Sequence, residues 1–353
     1  MKRINFGVIG HGFMGPRHVA MINSFAETTC VAVCDIDEMR LLTVPESIQK
    51  YTNADELLAN DNIDVVVIAT PNKTHKDLVI KATQAGKHII CEKPIAMSVA
   101  DFEAMAAAAE KAGVFLTSHH QRRFDRDFSI VKAAYDQHLL GDVHLIKSCL
   151  WGFNGNMHDW HVYKSEGGGM LMDWGVHLLD QLLYLVDSPL LSVFADLRNV
   201  INFEVDDYLK IILRFANNVT TEIELSTYML SDKEDWFPRH WFVFGRTGSL
   251  YTDGLEEVTG KIVRTTRLLT DAKDPTGRYS GPTRSFGKPE EGLLVTEELP
   301  RVNTSAREYY VNFIKALQGK EELFVTIPQL RRVLKVMDAI RTSSETKCSV
   351  SLG

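Results

Sequence analysis

The chain has 353 residues, 45% hydrophobic and 24% charged, too many for one ordinary core and enough for two globular domains. A formal net charge of −7 without a lysine or arginine run argues against nucleic acid or an anionic membrane as the main partner. No apolar run approaches a membrane span and Met1 leads straight into the first predicted strand, so a cytoplasmic protein without a signal peptide is expected.

Residues Ile4–Ile9 form a short apolar run that reads as a buried parallel strand. It breaks at Gly10-His11-Gly12-Phe13-Met14-Gly15, and an apolar helical pattern follows through Val19, Ile22 and Phe25. A second apolar run at 30–34 ends on Asp35. Each part suits a dinucleotide. Gly10 allows the tight turn, Gly12 lets the backbone approach the pyrophosphate, and Gly15 lets helix and strand pack closely, with free N–H groups at the helix start receiving the phosphates. Asp35, twenty positions past Gly15, can accept from both adenosine ribose hydroxyls and would repel a 2′-phosphate, so NAD is expected rather than NADP. Ile36, Asp37 and Glu38 follow it, and Arg40 is the nearest basic residue. His11, Phe13, Met14 and Ile36 join the glycines and Asp35 as expected cofactor contacts.

Strand and helix then alternate. Residues 39–51 are predicted as a helix disturbed by Pro45, 55–59 as a helical turn, and 63–69 as a strand covered on both faces. Thr70-Pro71-Asn72 ends that strand, and a helix over 73–85 stops at Gly86. His88–Cys91 is the next strand, Val99–Ala112 an alanine-rich helix stopped by Gly113, and 114–117 a further strand. Repeated βα units of this size predict a doubly wound parallel sheet that closes near Gln121, placing the first domain at 1–122. The remainder, 123–353, changes character. Helices are predicted at 128–140, 172–185, 305–318 and 328–343, the last free to pack back on the first domain. Strands at 143–150, 192–200, Tyr208–Phe215, 220–228, 239–244 and 249–252, joined by short polar turns, suggest a largely antiparallel sheet. Residues 263–298 are expected to form an excursion of loops and hairpins. Five cysteines, Cys30, Cys34, Cys91, Cys149 and Cys348, without C-x-x-C spacing support neither a disulfide framework nor a zinc site.

Two segments carry the chemistry. In Cys91-Glu92-Lys93-Pro94 a strand ends at the carboxyl edge of the parallel sheet, where ligands bind in open α/β folds. Pro94 disfavours helical geometry at Lys93 and holds it on an extended, turning backbone. In the second segment, 167–180, Gly167-Gly168-Gly169 lets the backbone pass close to something bulky, and Asp173, His177 and Asp180 share one helix face at i, i+4 and i+7. A carboxylate one turn before a histidine can fix its tautomer or raise its basicity. The ligands are too few for a metal, and none is expected.

Gly10-x-Gly12-x-x-Gly15-x-x-His18, Thr70-Pro71-Asn72-x-x-His75, Glu92-Lys93-Pro94 and the 167–180 segment occur in this order across most of the chain. Together they resemble the glucose–fructose oxidoreductase / inositol dehydrogenase / rhizopine catabolism (Gfo/Idh/MocA) family. The resemblance implies a Rossmann domain plus a C-terminal α/β domain whose open sheet builds homo-oligomers, dimers or tetramers. It implies a tightly held nicotinamide cofactor and oxidation of a secondary alcohol on a sugar or cyclitol. Carried over by motif, Lys93 resembles the catalytic lysine, with Asp173 and His177 its partners across the substrate. Thr70, Pro71, Asn72, His75 and Glu92, beside Lys93, resemble the nicotinamide-side wall.

Such an oxidation moves a hydride to the cofactor and a proton to a base, and the protein supplies geometry and the base. Lys93 or His177 is expected to take the proton, the other positioning the same hydroxyl, with Asp173 tuning the pair. For the substrate, Trp151, Trp160 and Tyr163 offer aromatic faces, with the polar neighbours His158, Asp159, His161 and Lys164 in the same stretch before the triple glycine. Gln121 and Arg122 border the same region, and Arg122 or Arg123 can bind a carboxylate or phosphate. Tyr163 and Lys164 suit a subunit interface equally well. Trp236, Phe237, Trp241 and Phe242 are expected on a sheet face buried in oligomerisation. Two other outcomes stand beside a dehydrogenase: glycoside cleavage through transient oxidation, and a non-catalytic NAD-bound regulator. The polar trio Lys93, Asp173 and His177 weighs against the regulator.

Overall fold

The computed structural model describes residues 3–152, 157–229, 239–269 and 291–352. The first sheet follows from a series of short βα units. β1 (Ile4–Ile9), β2 (Thr28–Cys34), β3 (Gln49–Tyr51), β4 (Val65–Ile68), β5 (His88–Cys91) and β6 (Leu116–Ser118) pair in the order β3-β2-β1-β4-β5-β6, every neighbour parallel. Four consecutive buried residues make up β4, as helices on both sheet faces require. Those helices are α1 (Gly15–Asn23), α2 (Glu38–Leu41), α3 (Ala54–Leu58), α4 (His75–Gln84) and α5 (Val99–Ala112). Strand order reverses between β1 and β4, so a crevice opens over their carboxyl ends.

The predicted helix at 39–51 is not there. Asp37 caps a single turn, α2, by accepting from Met39 N, and Pro45 prevents its continuation. Residues 49–51 instead pair with β2 as an edge strand. Leu41, Val44 and Ile48 are all buried, so turns reproduced an apolar spacing that helices also give.

In the second half, α6 (Arg126–Asp136) precedes β7 (Val143–Trp151), and α7 (Val176–Leu185) precedes a run of strands. These are β8 (Leu190–Arg198), β9 (Tyr208–Phe215), β10 (Thr220–Ser226), β11 (Arg239–Gly245), β12 (Gly248–Asp253), β13 (Thr259–Thr265) and β14 (Leu294–Glu297). Then come α8 (Arg307–Leu317), α9 (Ile327–Thr346) and β15 (Val350–Ser351). Among the described residues the sheet order is β14-β13-β12-β11-β7-β10-β9-β8-β15, with only β7 and β10 parallel. Of the expected excursion at 263–298, residues 270–290 lie outside the described residues, and its two described ends meet where β14 pairs antiparallel with the end of β13.

Alternate residues of this sheet, such as Leu209, Ile211 and Leu213, face a core under α6, α7 and α9. Trp241 belongs to that core rather than to an oligomer face: it is wholly buried, packs on Phe128, and its Nε1 donates to Asp127 at 2.9 Å. Phe242 points to the opposite face, and Trp236 and Phe237 lie outside the described residues. Arg331 of α9 reaches back to Glu103 of α5 at 2.6 Å, and Thr117 donates to Val325 O at 2.9 Å. Cys30, Cys34, Cys91 and Cys149 are buried free thiols and Cys348 is exposed. Among the described residues no helix is long and apolar enough to cross a membrane.

Candidate active site

At the carboxyl end of β1 the three glycines are not equivalent. Gly10 has φ +96°, and a Cβ on it would lie 2.4 Å from Ala69 O. A Cβ on Gly15 would lie 2.2 Å from Gly10 O. Protein backbone therefore demands both. A Cβ on Gly12 would meet only the end of Arg40, at 3.4 Å. Nothing in the protein core requires glycine there, which fits a surface kept clear for a ligand's phosphates. Asp35 is buried beside this turn, its Oδ2 accepting from His11 N at 2.6 Å and its Oδ1 from Asp37 N at 2.9 Å. Each oxygen keeps a lone pair for a ribose hydroxyl. Arg40 Nη1 lies 3.7 Å from Asp35. Ile36 is 93% exposed and Phe13 76%, an apolar rim beside the turn. Met14 is half-buried at the start of α1.

Lys93 leaves the end of β5 and points across the crevice. Its Nζ donates to Asp173 Oδ1 at 2.5 Å and to Asp173 O at 2.9 Å. Asp173 lies in a π-turn, Leu171–Gly175, that runs directly into α7. Desolvation works to raise the Asp173 carboxyl, and the Lys93 ammonium overrides it, so the group sits below its ordinary value. One turn on, His177 is buried and its Nδ1 has no partner. Burial, with Lys93 and Arg122 adding to it, holds His177 well below the ordinary imidazole value, so the ring is neutral. An ammonium, a carboxylate and a neutral imidazole thus converge, and an orphaned ring nitrogen in such a place awaits a hydrogen-bond partner.

The triple glycine explains how the loop before α7 packs against this site. A Cβ on Gly167 would press on Asn72, whose Nδ2 donates to Gly167 O at 2.9 Å. One on Gly168 would lie 2.2 Å from His161 O. One on Gly169 would lie 2.5 Å from Asp206 Oδ1. Asp206 Oδ2 then accepts from Leu171 N at 2.7 Å, capping the π-turn, and burial pushes its carboxyl up to about 6. Lys73 and Glu166 pair at 2.7 Å across the same seam. In this loop Trp160 and His161, both half-buried, stack with centroids 3.8 Å apart. His161 lies within reach of the Asp173 and Lys93 charges.

Other expected residues separate into layers. Thr70 and Pro71 end β4, Thr70 Oγ1 lying 2.7 Å from Thr74 Oγ1. His75 is wholly buried between Thr70 O (2.9 Å) and Pro94 O (3.0 Å), behind the crevice rather than on it. Glu92 is buried as well, in contact with His18 and His119. Those three offer ligand atoms within 4.8 Å of one another, a cluster that the sequence reading misses because His119 belongs to no motif used there. Arg123 does not face a ligand: Asp180 holds it at 2.6 and 2.8 Å, which also withdraws Asp180 from the Asp173–His177 face. Arg122 lies over the Trp174 ring at 3.9 Å and reaches Asp125 at 3.2 Å, its Nε unpaired. Gln121 keeps an unpaired Oε1. Trp151, at the end of β7, packs on His240, and Tyr163 is half exposed.

Comparison with known proteins agrees with this architecture. Residues 4–120 match the oxidoreductase family with an NAD-binding Rossmann fold, and residues 128–251 match the GFO/IDH/MocA C-terminal domain. The chain is 27% identical to myo-inositol 2-dehydrogenase of Thermotoga maritima over 99% of its own length and 98% of the relative's. It is 25% identical to scyllo-inositol 2-dehydrogenase (NADP(+)) IolW of Bacillus subtilis, over 84% and 81%. The crystal structure of an NAD-binding protein from Listeria innocua superposes with a TM-score of 0.85 at 33% identity, over 99% of this chain and 97% of that one. Matched through both halves, the chain belongs to the Gfo/Idh/MocA oxidoreductase family and carries its NAD-binding Rossmann fold.

Proposed function

We propose that this chain is an NAD-dependent dehydrogenase that exchanges hydride with a secondary hydroxyl or ketone of a sugar, glycoside or cyclitol. The observation that carries the reading is the Lys93–Asp173 contact at 2.5 Å, made where the ends of β5 and the π-turn face each other across the crevice. The open surface of Gly12, the apolar rim at Ile36 and the placement of Asp35 fit NAD. The inositol dehydrogenases among its relatives support a polyhydroxylated ring as substrate.

The chemistry supplied by bound nicotinamide is acceptance or return of a hydride. On oxidation the Lys93 amine takes the proton of the reacting hydroxyl, on reduction its ammonium returns it, and Asp173 holds that ammonium in place. His177, neutral through burial, offers a hydrogen bond to the same hydroxyl without competing for the charge. Trp160 and His161 cover the site and exclude water, and Asn72 fastens that cover to the first sheet. Assembly of dimers or tetramers through the open face of the second sheet and a cytoplasmic location complete the reading.

The test is a panel of cyclitols, sugars and glycosides offered with NAD and with NADP, followed at the absorbance of reduced nicotinamide. Turnover of a cyclic polyol with NAD is the expected result. Release of a glycoside's leaving group without net reduced cofactor, or no turnover across the panel, overturns it.

A further inference from the structure

Glu92 neighbours Lys93, yet the proton exchange just described does not use it. Its carboxylate lies buried at the end of β5, and its two oxygens have different duties. Oε1 meets two ring nitrogens, His18 Nε2 at 2.9 Å and His119 Nδ1 at 2.8 Å. Oε2 accepts from the backbone N–H of Lys93 at 3.1 Å. Desolvation works to raise this carboxyl, but His119 and His18 prevail and hold it well below its ordinary value, so it is ionised. An ionised carboxylate only accepts, so both facing ring nitrogens carry hydrogen. Burial keeps His18 neutral, which leaves its Nδ1 to accept from the Tyr310 hydroxyl at 2.6 Å. Every proton in the chain from Tyr310 to Glu92 then has one place.

The geometry also prevents rotation. The His18 and His119 rings pack 4.6 Å apart, and His119 stands edge-on to Tyr309 at 4.9 Å. His18 belongs to α1, the helix behind the glycine turn, His119 follows β6, and Tyr310 belongs to α8. One carboxylate therefore joins the helix of the expected pyrophosphate site, a neighbouring strand end and the second half of the chain, at the residue before Lys93.

We propose that His18 and His119 are positioning residues for Lys93, acting through Glu92: the two imidazoles fix one carboxylate oxygen so that the other holds the Lys93 backbone and aims its ammonium at the reacting hydroxyl. This rests on Lys93 being the proton-exchanging group. Removing either ring N–H frees Glu92 to turn and strips a buried charge of a partner, and a displacement of about 1 Å at Lys93 can cost on the order of 100-fold in rate.

The test compares His119→Leu, which removes the donor, with His119→Asn, which keeps an N–H near the Nδ1 position. Leucine lowers kcat about tenfold or more while affinity for NAD stays within about twofold, and asparagine restores most of the loss. Placed in Lys93→Ala, His119→Leu leaves the residual rate unchanged, because no ammonium remains to be aimed. Equal losses in both backgrounds, or no loss in either, overturn the proposal. So does stoichiometric metal in the purified protein that His119→Leu releases, since the three ligand atoms are close enough to share an ion. If Lys93→Ala itself turns over normally, the reading of Lys93 fails separately, and a measurement free of turnover still decides the positioning claim. Acylation of Lys93 by an activated ester, followed by peptide mass, is about threefold faster or more in His119→Leu than in wild type once Glu92 is free to turn. An unchanged rate contradicts the proposal.

Discussion

Lys93 Nζ reaches both the carboxylate and the backbone carbonyl of Asp173, at 2.5 and 2.9 Å, joining the end of β5 to the π-turn before α7 across 80 residues of sequence. Two acceptors on one residue fix the direction of the ammonium as well as its distance. Removing the charge but not the shape isolates the electrostatic part. Asp173→Asn is expected to lower kcat roughly 100-fold with NAD affinity within about twofold, as measured by steady-state kinetics and cofactor titration. Loss confined to cofactor binding would argue against this role.

The glycine turn separates stability from binding. Gly10→Ala and Gly15→Ala force a Cβ into backbone oxygen at 2.4 and 2.2 Å, so each is expected to cost about 2 kcal/mol or more in denaturant unfolding. Gly12→Ala meets only a flexible arginine tip at 3.4 Å and should stay within about 0.5 kcal/mol of wild type while weakening NAD binding about tenfold. A Gly12→Ala protein that binds NAD normally would show that the phosphates lie elsewhere.

His177 is held well below the ordinary imidazole value by burial and then by Lys93 and Arg122. It therefore stays neutral across the whole neutral range. The pH dependence of kcat is expected to show the same inflections in wild type and His177→Asn, at a rate lowered about tenfold or more by loss of the hydroxyl's partner. An inflection near pH ~6.5 that vanishes in the variant would identify His177 as a titrating base instead.

Asp206 caps the turn that carries Asp173, and burial pushes its carboxyl from 3.8 up to about 6. A folded value above the unfolded one means that the folded state binds the proton more tightly. The group therefore costs nothing below pH ~4, and its cost grows to completion above about pH 6. Full burial would make that about 3 kcal/mol, and partial exposure of the residue reduces it to about 1–2 kcal/mol. Asp206→Asn is expected to be more stable than wild type by that amount at pH ~8 and to lose the advantage below pH ~4, read from urea unfolding at both pH values. A variant less stable at pH ~8 would show that the charged cap's bond to Leu171 N outweighs its desolvation.

The first sheet was legible because each βα unit carries local signals. Ser98 caps α5 by accepting from Asp101 N, and Gly113 ends it at φ +66°. Residues 39–51 misled because Leu41, Val44 and Ile48 bury themselves at intervals that a helix would also give. In the site, Lys93, Asp173 and His177 could be named from motifs, but their meeting depends on a fold that closes long gaps. Asp180 shared their helical phase, yet Arg123, 57 residues away in sequence, claims it. The Asp206 cap and the His119 contact with Glu92 left no local trace, since each donor and acceptor comes from a different element.

The central claim is that Lys93 exchanges the proton of the reacting hydroxyl, taking it as the amine on oxidation and returning it as the ammonium on reduction. Its most direct measurement is turnover by Lys93→Ala on the substrate that the panel identifies, with NAD affinity determined on the same protein. A fall in kcat of about 100-fold or more with affinity held within about twofold is predicted. Wild-type turnover with intact cofactor binding would contradict it.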